Sequence, residues 1–442
     1  MRSKRPVARG PRAGASLPAS VSGVVERLAS GGDGVLSTPF GDVHCAGAFA
    51  GERVRLSGLR RKGKRVQASR VEILEASPAR RDPPCAHAAS CGGCPFMALT
   101  PEAQRDARLG LVDQALRHAR VAPIHPLEHD PAGASQPLAY RGRARMRFER
   151  GVLGYRSAGS ATVVPVTRCL VQAAAIAEAA AALSASLAAL HAEQALPPLD
   201  VHLGTGARGA VVALRCEQPL PAELYAMLEG LVAAEALQGA GVLAGGATRH
   251  AHFGDPSEVA ARLPPGAGVS PLRVPLGGFS QANPTVNAAL VATVVAWADA
   301  AQQPTLELYA GSGNLSVALV EAGALLTTVE HDAAAAALAA ENLRERGLSA
   351  TAHHRDVVDA PRARFSRVVL DPPREGALRV LESLVRVQRP ERVVYVSCDP
   401  RTLARDLAVL VEAGYVLERV RVFDMFPQTP HVESVALLTR AA

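Results

Sequence analysis

Residues that can do covalent chemistry follow an apolar stretch in the last part of the sequence. The run Val393 to Ser397 predicts a buried strand, and Cys398 comes directly after it. In doubly wound α/β sheets, ligands and chemistry lie just beyond the carboxyl ends of the strands. A thiol there, with a helix predicted from about Thr402, can act as a nucleophile. Taken alone, the pattern also fits a small buried thiol without reactivity.

Two further groups follow predicted strands in the same region. Asp371-Pro-Pro-Arg comes after the strand Arg367 to Leu370. Its prolines restrict the backbone to an extended, rigid loop. Loops of this kind hold the target base beside the methyl donor in nucleic-acid methyltransferases. Glu433 precedes the last predicted strand, Ser434 to Thr439, and offers a carboxylate for acid–base work.

A glycine turn indicates a cofactor site. Gly311 and Gly313 predict a tight turn between a strand and a helix, where the backbone can approach a ligand. Glu330 ends the next strand, at the position from which an acid binds a ribose diol. Ser316 stands where a dinucleotide fingerprint has its third glycine. The pattern therefore favours a nucleoside cofactor without phosphates, S-adenosylmethionine.

These groups together suit methylation of a pyrimidine at carbon 5. That carbon is not nucleophilic enough to take a methyl group unaided, and a thiolate that attacks carbon 6 delivers charge to it. A base must then remove the proton of carbon 5 so that the cysteine can leave. The reaction needs a cysteine, a base, a loop that holds the ring and a donor pocket. Cys398, Glu433, Asp371 and the Gly311 region supply all four.

Clustered thiols predict a metal site in the first third of the chain. Cys85, Cys91 and Cys94 lie within a short segment with paired glycines, and Pro95 follows the last of them. Three such thiolates can bind three corners of a metal or iron–sulfur cluster, with Cys169 as the candidate fourth ligand. Zinc is the alternative, through an all-thiolate site or with His87 as a ligand.

Composition and charge limit the class of protein. The net charge is +7 and the pI about 9.3, a modest excess that is compatible with a polyanionic partner. The seven cysteines are unevenly spaced and no secretory pattern begins the sequence, so we expect the cytosol and no disulfide framework. We expect no membrane span. The basic residues concentrate in three segments, Arg2–Arg12, Arg60–Arg65 and Arg141–Arg147.

Short β runs between residues 21 and 73, separated by glycine turns, predict a small barrel of the OB type, a fold that commonly binds nucleic acid. The last part of the chain alternates strand and helix, as in an α/β doubly wound sheet. The sequence thus predicts five segments. They are a basic arm (1–16), the barrel (17–76), a cysteine segment and helix (77–120), a central α+β domain that recognises RNA (121–270) and the α/β domain (271–442).

Five motifs stand out in the last part of the chain. They are Gln281-Ala-Asn283-Pro284, Glu307-Leu-Tyr309-Ala-Gly311-Ser-Gly313-Asn314, Asp371-Pro-Pro-Arg-Glu-Gly376, Ser397-Cys398-Asp399-Pro400 and Asp424-Met-Phe-Pro-Gln-Thr-Pro-His431-Val-Glu433. Together they resemble the motifs of the bacterial RNA 5-methyluridine (uracil-5-) methyltransferases. The resemblance extends over nearly the whole chain after residue 17, and it implies that the barrel is a TRAM domain and that the α/β domain is a Rossmann-like S-adenosylmethionine-dependent methyltransferase sheet.

The resemblance assigns a role to each matching position. It implies that Cys398 is the nucleophile and Glu433 the base that removes the proton. It implies a 4Fe-4S cluster on Cys85, Cys91, Cys94 and Cys169. The methyl-donor contacts that it implies, together with the glycine turn, are Gln281, Tyr309, Gly311, Asn314, Glu330, Asp356 and Asp371. Ala310 and Pro430 depart from the family's common residues, and neither removes a group that the mechanism needs.

The resemblance also implies an RNA substrate. Family members with both the barrel and the cluster modify large-subunit (23S) ribosomal RNA, and we place a tRNA substrate second. An RNA cytosine-5 methyltransferase and a non-catalytic RNA-binding or chaperone protein on the same fold are lesser alternatives. We expect a monomer in the cytoplasm.

Overall fold

The structure, a computed structural model, describes residues 16–63, 65–166, 168–260 and 270–441, with the side chains of residues 134 and 135 excepted. Apart from residue 16, the predicted basic arm lies outside the described residues. The described chain forms sheets of six, seven and eight strands and one two-stranded sheet.

The first sheet is a barrel. Its strand order is β1-β5-β6-β4-β3-β2, and because β1 and β2 follow one another along the chain, the two ends of the sheet are joined. Val35, Val54 and Leu56 fill its interior. The strands are β1 (Ser20–Val24), β2 (Arg27–Leu28), β3 (Gly34–Leu36), β4 (Val43–Cys45), β5 (Arg53–Lys62) and β6 (Arg65–Glu75).

The cysteine segment, defined here as residues 81–97, connects the barrel to helix α1 (Pro101–Ala119). Thr100 caps this helix by accepting a hydrogen bond from the amide of Ala103, and Pro101 occupies its first turn. The capping chemistry explains why the helix begins where the sequence predicts it. A short strand, β7 (Glu128–His129), and a 3-10 turn (Pro131–Ser135) follow.

The second sheet has the order β10-β9-β8-β11-β12-β13-β14, and two helices cover one of its faces. Along β8 the buried side chains of Ala144, Met146 and Phe148 alternate with the arginines, as the sequence predicts. The elements are β8 (Arg143–Glu149), β9 (Val152–Arg156), β10 (Val163–Pro165), α2 (Ala174–Glu193), β11 (Leu199–Thr205), β12 (Ala210–Cys216), α3 (Ala222–Ala233), β13 (Gly239–Ala244) and β14 (Ala251–Gly254).

Two of the arginines on β8 pair with acidic side chains of the protein. Arg143 pairs with the buried Glu258 at 2.7 Å, and Arg147 pairs with Asp200 at 2.6 Å. Their repulsion is therefore relieved within the protein. Arg145 between them is exposed.

Among the described residues one helix, α2, is long and apolar enough to cross a membrane by length and composition alone. Ile176, Leu183 and Leu187 of this helix pack into the core of the second sheet. The apolar side chains of α2 are thus used inside the fold.

The third sheet carries the strands that precede the predicted site. Its order is β19-β18-β17-β20-β21-β23-β22-β7, and β17 to β21 are parallel. The elements from the two-stranded sheet onward are β15 (Glu258–Ala260), β16 (Leu272–Val274), α4 (Pro284–Ala298), β17 (Pro304–Leu308), α5 (Asn314–Glu321), β18 (Leu325–Glu330), α6 (Ala333–Arg344), β19 (Thr351–His354), β20 (Arg367–Leu370), α7 (Leu378–Ser383), β21 (Arg392–Ser397), α8 (Pro400–Glu412), β22 (Tyr415–Phe423) and β23 (Glu433–Arg440).

Helices cover both faces of this sheet. α1, α7 and α8 bury one face, and α4 and α5 bury the other. The chain runs from β17 outward to β19 and then returns to β20 on the other side of β17. The order of the strands therefore reverses between β17 and β20, and in such sheets a ligand binds outside the carboxyl ends at that point. The predicted α/β fold class is confirmed.

Candidate active site

The candidate residues lie along the carboxyl edge of the third sheet. Leu308 of β17 is paired with Val329 of β18 on one side and with Leu370 of β20 on the other. The residues just beyond these strand ends are Tyr309, Glu330 and Asp371. Neighbouring strands lie about 4.8 Å apart. Tyr309 and Asp371 therefore flank the point at which the strand order reverses.

Cys398 and Glu433 lie close together at the same edge. Ser397 of β21 is paired with Ser434 of the antiparallel strand β23, the last pair of that ladder, and Cys398 and Glu433 are the residues that adjoin it. Opposing residues of antiparallel strands have Cα atoms about 4.5–5.5 Å apart. Glu433 is only 3% exposed, whereas Cys398 is partly open. The thiol is therefore partly accessible from the crevice outside the carboxyl ends of the strands, called the cleft below. The carboxyl group of Glu433 lies near it.

Electrostatic interactions tie three acids together at this point. Burial, and then the charges of Glu433 and Asp371, raise the pKa of Cys398 to about 12, against a smaller opposite effect of Arg374. Burial raises the pKa of Asp371 to about 7. Burial and the charge of Asp371 raise the pKa of Glu433 well above its usual range. Positive charge that enters the site would therefore lower the pKa of each of these three groups.

A buried hydrogen-bond network positions the Asp371-Pro-Pro-Arg-Glu-Gly376 loop. Asp406 of α8 is fully buried and accepts hydrogen bonds from the Tyr395 hydroxyl and the Ala377 amide, both at 2.6 Å. A Cβ atom on Gly376 would lie 2.5 Å from Asp406 Oδ2, so only glycine fits there. The loop after β20 is thereby attached to the helix that follows Cys398.

The glycine turn and Glu330 form one unit. The Gly311 amide donates a hydrogen bond to Glu330 Oε2 at 2.8 Å, and the Asp332 amide donates to Glu330 Oε1 at 2.7 Å. The carboxylate is fixed at the strand end with acceptor capacity left over. Tyr309 precedes the turn with φ +62°, a strained backbone conformation for a residue other than glycine.

Asn314 begins α5, and its amide group pairs with that of Asn287. The two side chains exchange hydrogen bonds of 2.9 Å in both directions. Asn287 was not predicted by the sequence analysis, because a polar residue within the apolar helix α4 carries no local sign of its partner. Asp356 lies further along the edge, where it caps the 3-10 turn Val357–Asp359.

Two amide side chains near the helix entry of α4 have buried polar atoms without a hydrogen-bond partner. They are Gln281 Oε1 and Asn283 Nδ2. The Asn283 Oδ1 atom caps α4 by accepting from the Val286 amide. Buried polar atoms are normally paired, so these two atoms are suited to a polar ligand that occupies the cleft.

Loop 424–432, which connects β22 to β23, is anchored from elsewhere in the chain. The fully buried Arg108 of α1 pairs with Asp424 at 2.6 Å and donates to the Thr429 carbonyl at 3.1 Å. Asp424 also contacts His129 at 3.1 Å. Asp424 was identified within a sequence motif, but its α1 partner Arg108, more than 300 positions away in the sequence, was not.

The four predicted metal ligands line one cavity. Cys85, Cys91, Cys94 and Cys169 surround a space of about 50 Å³, several times what a single water molecule needs. Burial and the neighbouring thiols raise the pKa of Cys94 to about 12. Among the described residues no three His, Cys, Asp or Glu side chains converge on a single metal position. A bound cation would stabilise the thiolate forms of these cysteines.

Comparison with known proteins identifies relatives over most of the chain. Residues 269–441 match the model of a family described as tRNA (uracil-5-)-methyltransferase. The 23S rRNA (uracil(1939)-C(5))-methyltransferase RlmD of Pseudomonas putida is 34% identical, over 93% of this chain and 92% of its own length. The protein of the same name from Chromohalobacter salexigens is 35% identical, over 94% of this chain and 88% of its own.

A solved structure shares the fold. The tRNA (uracil-54, C5)-methyltransferase of Pyrococcus abyssi, determined with S-adenosyl-L-homocysteine, superimposes with a TM-score of 0.75 at 21% identity, over 95% of this chain and all of that one. The sequence similarity to the RlmD proteins confirms the resemblance that the motifs predicted. The chain belongs to the S-adenosylmethionine-dependent RNA uracil-C5-methyltransferase family.

Proposed function

We propose that this chain methylates carbon 5 of a uridine in 23S ribosomal RNA, with Cys398 as the nucleophile and Glu433 as the base. The observation that carries the assignment of these two residues is their position beside Ser397 and Ser434, the last paired residues of β21 and β23. One residue can attack carbon 6 of a ring in the cleft, and the other can reach the proton on the adjacent carbon 5.

The first step forms a bond between Cys398 Sγ and carbon 6 of the uracil. The electron pair of the carbon 5–carbon 6 double bond moves toward carbon 5 and the carbonyl at carbon 4, which makes carbon 5 nucleophilic. S-adenosylmethionine, when bound, supplies a methyl group on a positively charged sulfur. The Asp371 loop, attached to α8 through Asp406, holds the ring in place during the attack.

The last step frees the enzyme. After methylation, carbon 5 carries both a hydrogen and a methyl group, and carbon 6 is still bonded to sulfur, so the double bond between the two carbons is absent. The Glu433 carboxylate removes that proton, the electron pair of the carbon–hydrogen bond restores the double bond, and the Cys398 thiolate leaves. The raised pKa of Glu433, caused by burial and by Asp371, makes it a stronger base than an exposed carboxylate.

The donor site that we propose uses the residues along the sheet edge. Glu330 would accept from the ribose hydroxyls, and the turn of Gly311 allows close approach of the backbone. Gln281 has an unpartnered oxygen for the donor's polar end. Tyr309, Asn314, Asp356 and Asp371 complete the set of residues that we expect to contact or position the donor.

The charges in the cleft support a cationic donor. Cys398, Asp371 and Glu433 are three acids held close together, and Arg374 is the basic side chain that lowers the pKa of both Cys398 and Glu433. A positively charged sulfur beside Asp371 would relieve their repulsion. These three acidic groups therefore favour binding of the positively charged donor over binding of the neutral product that remains after methyl transfer.

For the target, the RlmD relatives favour 23S ribosomal RNA because their similarity covers about nine tenths of both chains. A tRNA is the second candidate, since the fold neighbour acts on tRNA. The corresponding place of action is the cytoplasm, where ribosomal RNA is made in bacteria. The barrel would contribute RNA binding as a TRAM domain, with the exposed residues Arg60, Arg61, Lys62 and Arg65 of its β5–β6 hairpin.

Mapping of 5-methyluridine in a deletion strain tests this assignment. We expect one position of 23S ribosomal RNA to lose its methyl group, and a plasmid copy of the intact chain to restore it. A plasmid copy of Cys398→Ala should not restore it. Loss of 5-methyluridine from tRNA alone would favour the second candidate, and unchanged 23S and tRNA profiles would contradict the proposed activity.

We further propose that Cys85, Cys91, Cys94 and Cys169 hold a 4Fe-4S cluster. The cavity between them exceeds what one ion needs, and their mutual repulsion as thiolates calls for a cationic group. The cluster, when bound, supplies positively charged irons that cross-link the four sulfurs. Gly92 permits the tight fold of this segment, since a Cβ atom there would lie 3.0 Å from the Ala158 backbone.

Metal and sulfide analysis of protein purified without oxygen tests the cluster. We expect about four irons and four sulfides per chain and a brown colour that oxidation bleaches. Cys91→Ser should lower the iron content, whereas Cys216→Ser, a change of another partly buried cysteine outside the cavity, should leave it unchanged. One zinc per chain without sulfide would contradict the proposal.

A further inference from the structure

We propose that Gln428 is a positioning residue for proton removal: it fixes the β22–β23 loop, residues 424–432, and thereby aligns Glu433 with the substrate. The inference rests on the proposed function, because it takes Glu433 as the base. It adds that the cysteine segment and α1 serve the last step of the reaction through contacts that converge on this glutamine.

Gln428 is hydrogen-bonded on every side. Its carbonyl accepts from the Phe96 amide at 2.9 Å, and its amide donates to Gln104 Oε1 at 2.9 Å. Its side-chain oxygen accepts from Gln104 Nε2 at 2.8 Å and from Arg81 Nη2 at 3.2 Å. Its side-chain nitrogen donates to the Pro137 carbonyl at 3.2 Å. All of these partners lie outside the third sheet.

The backbone at Gln428 needs this support. Its φ is +72°, in the left-handed region that residues with a Cβ atom rarely adopt, and the residue is 1% exposed. Such a conformation persists when the surroundings impose it. The neighbouring contacts from Tyr140 to the Pro427 carbonyl, at 3.1 Å, and from Arg108 to Thr429 act on the same loop.

Loosening of this loop affects Glu433 more than Cys398. Glu433 is the first residue of β23 and follows the loop directly. Cys398 follows the central strand β21, and its neighbour Asp399 caps α8 by accepting from the Arg401 and Thr402 amides. None of these bonds involves the loop. Loss of the Gln428 contacts should therefore displace the base while it leaves the nucleophile in place.

Two RNA substrates separate the steps. With uridine, turnover requires attack, methyl transfer and removal of the proton. With 5-fluorouridine at the target, attack and methyl transfer proceed, but carbon 5 carries fluorine, which a base cannot remove as a cation. The covalent product then persists, so its rate of formation reports on the first two steps alone.

The variants are Gln428→Ala and Gln428→Gly. The second relieves the backbone strain but also lacks the side-chain bonds.

We expect both variants to turn over uridine RNA about 10- to 100-fold more slowly, the scale of a misplacement near 1 Å, with KM for RNA unchanged within about threefold. Covalent product with 5-fluorouridine RNA should form at a rate within about threefold of the unmodified protein. A covalent intermediate should also accumulate on uridine RNA. Gln388→Ala is the matched control. Gln388 is also buried, at 4% exposed, and it donates a 3.0 Å hydrogen bond to the Pro361 carbonyl, outside the loop.

Equal slowing on both RNAs, or unchanged turnover in both variants, would overturn the inference. Accumulation of covalent intermediate by Gln388→Ala to the same degree would overturn it as well, because the effect would then follow from lost stability. Failure of the proposed function has a different signature, in which the unmodified protein forms no covalent product with 5-fluorouridine RNA.

Discussion

Replacement of Cys398 by alanine should abolish methyl transfer, with a loss on the order of 10⁶-fold, the scale seen when an enzyme with a covalent intermediate loses its nucleophile. Carbon 5 of uracil stays unreactive when no sulfur attacks carbon 6. Alanine leaves β21 and the cap of α8 intact, because the capping group belongs to Asp399. The fold and the donor site should therefore survive the change.

Transfer of a labelled methyl group to a 23S ribosomal RNA transcript measures this effect. Calorimetry with S-adenosyl-L-homocysteine serves as the test of an intact donor site, and its affinity should change by less than about threefold, since Cys398 is not among the proposed donor contacts. Cys216→Ala, a change of a partly buried cysteine at the end of β12, should retain activity. Measurable turnover by Cys398→Ala near the original rate would exclude a covalent mechanism.

The same thiol has a specific pH dependence in the protein without ligands. Burial, Glu433 and Asp371 raise the pKa of Cys398 to about 12, and the thiolate is the reactive form. Between about pH 7 and 10, alkylation of Cys398 by iodoacetamide should therefore accelerate roughly tenfold per pH unit without levelling. A plateau near neutral pH would show that the resting thiol is already ionised.

The part of the site that depends on strand ends was predictable from sequence. An apolar run followed by Cys398, by Asp371-Pro-Pro or by a glycine turn indicates where a buried parallel strand stops, and the carboxyl ends of such strands share one edge. The structure confirms that edge through the pairing of β17, β20 and β21. Local pattern and sheet geometry were sufficient, because each of these residues lies next to its own strand.

The supporting contacts were not predictable, because they join residues that are distant in sequence. Asp406 lies within an amphipathic helix, and nothing near it shows that it accepts from the Ala377 amide. The same holds for Arg108 with Asp424 and for Gln104 with Gln428. Such pairs depend on how α1 and α8 pack on the sheet. Helical periodicity predicts that a helix packs, but not which polar residue it brings to a partner.

Replacement of Glu433 by glutamine should stop the reaction after methyl transfer and leave the RNA attached to the protein. Glutamine has the same shape but cannot take the proton from carbon 5, so turnover should fall about 10²- to 10⁴-fold. Attack itself should not slow. The charge of Glu433 is one of the causes that raise the pKa of Cys398, so its removal lowers that pKa and increases the thiolate fraction.

The folded state should tolerate this change. Burial and Asp371 raise the pKa of Glu433 well above its usual range, which means that ionisation of the group costs stability as pH rises through the folded pKa. A neutral glutamine has no such cost. Above that pH the variant should therefore be at least as resistant to urea as the unmodified protein.

A denaturing gel of protein incubated with donor and uridine RNA detects the trapped species as a band of lower mobility. Mass spectrometry after nuclease digestion should find a methylated nucleotide on the peptide that contains Cys398. The double change Cys398→Ala with Glu433→Gln is the control and should give no such band. If Glu433→Gln turns over at the original rate, another group removes the proton. If it gives neither product nor covalent species, Glu433 acts before the methyl group is transferred, and its position near Cys398 serves attack rather than release.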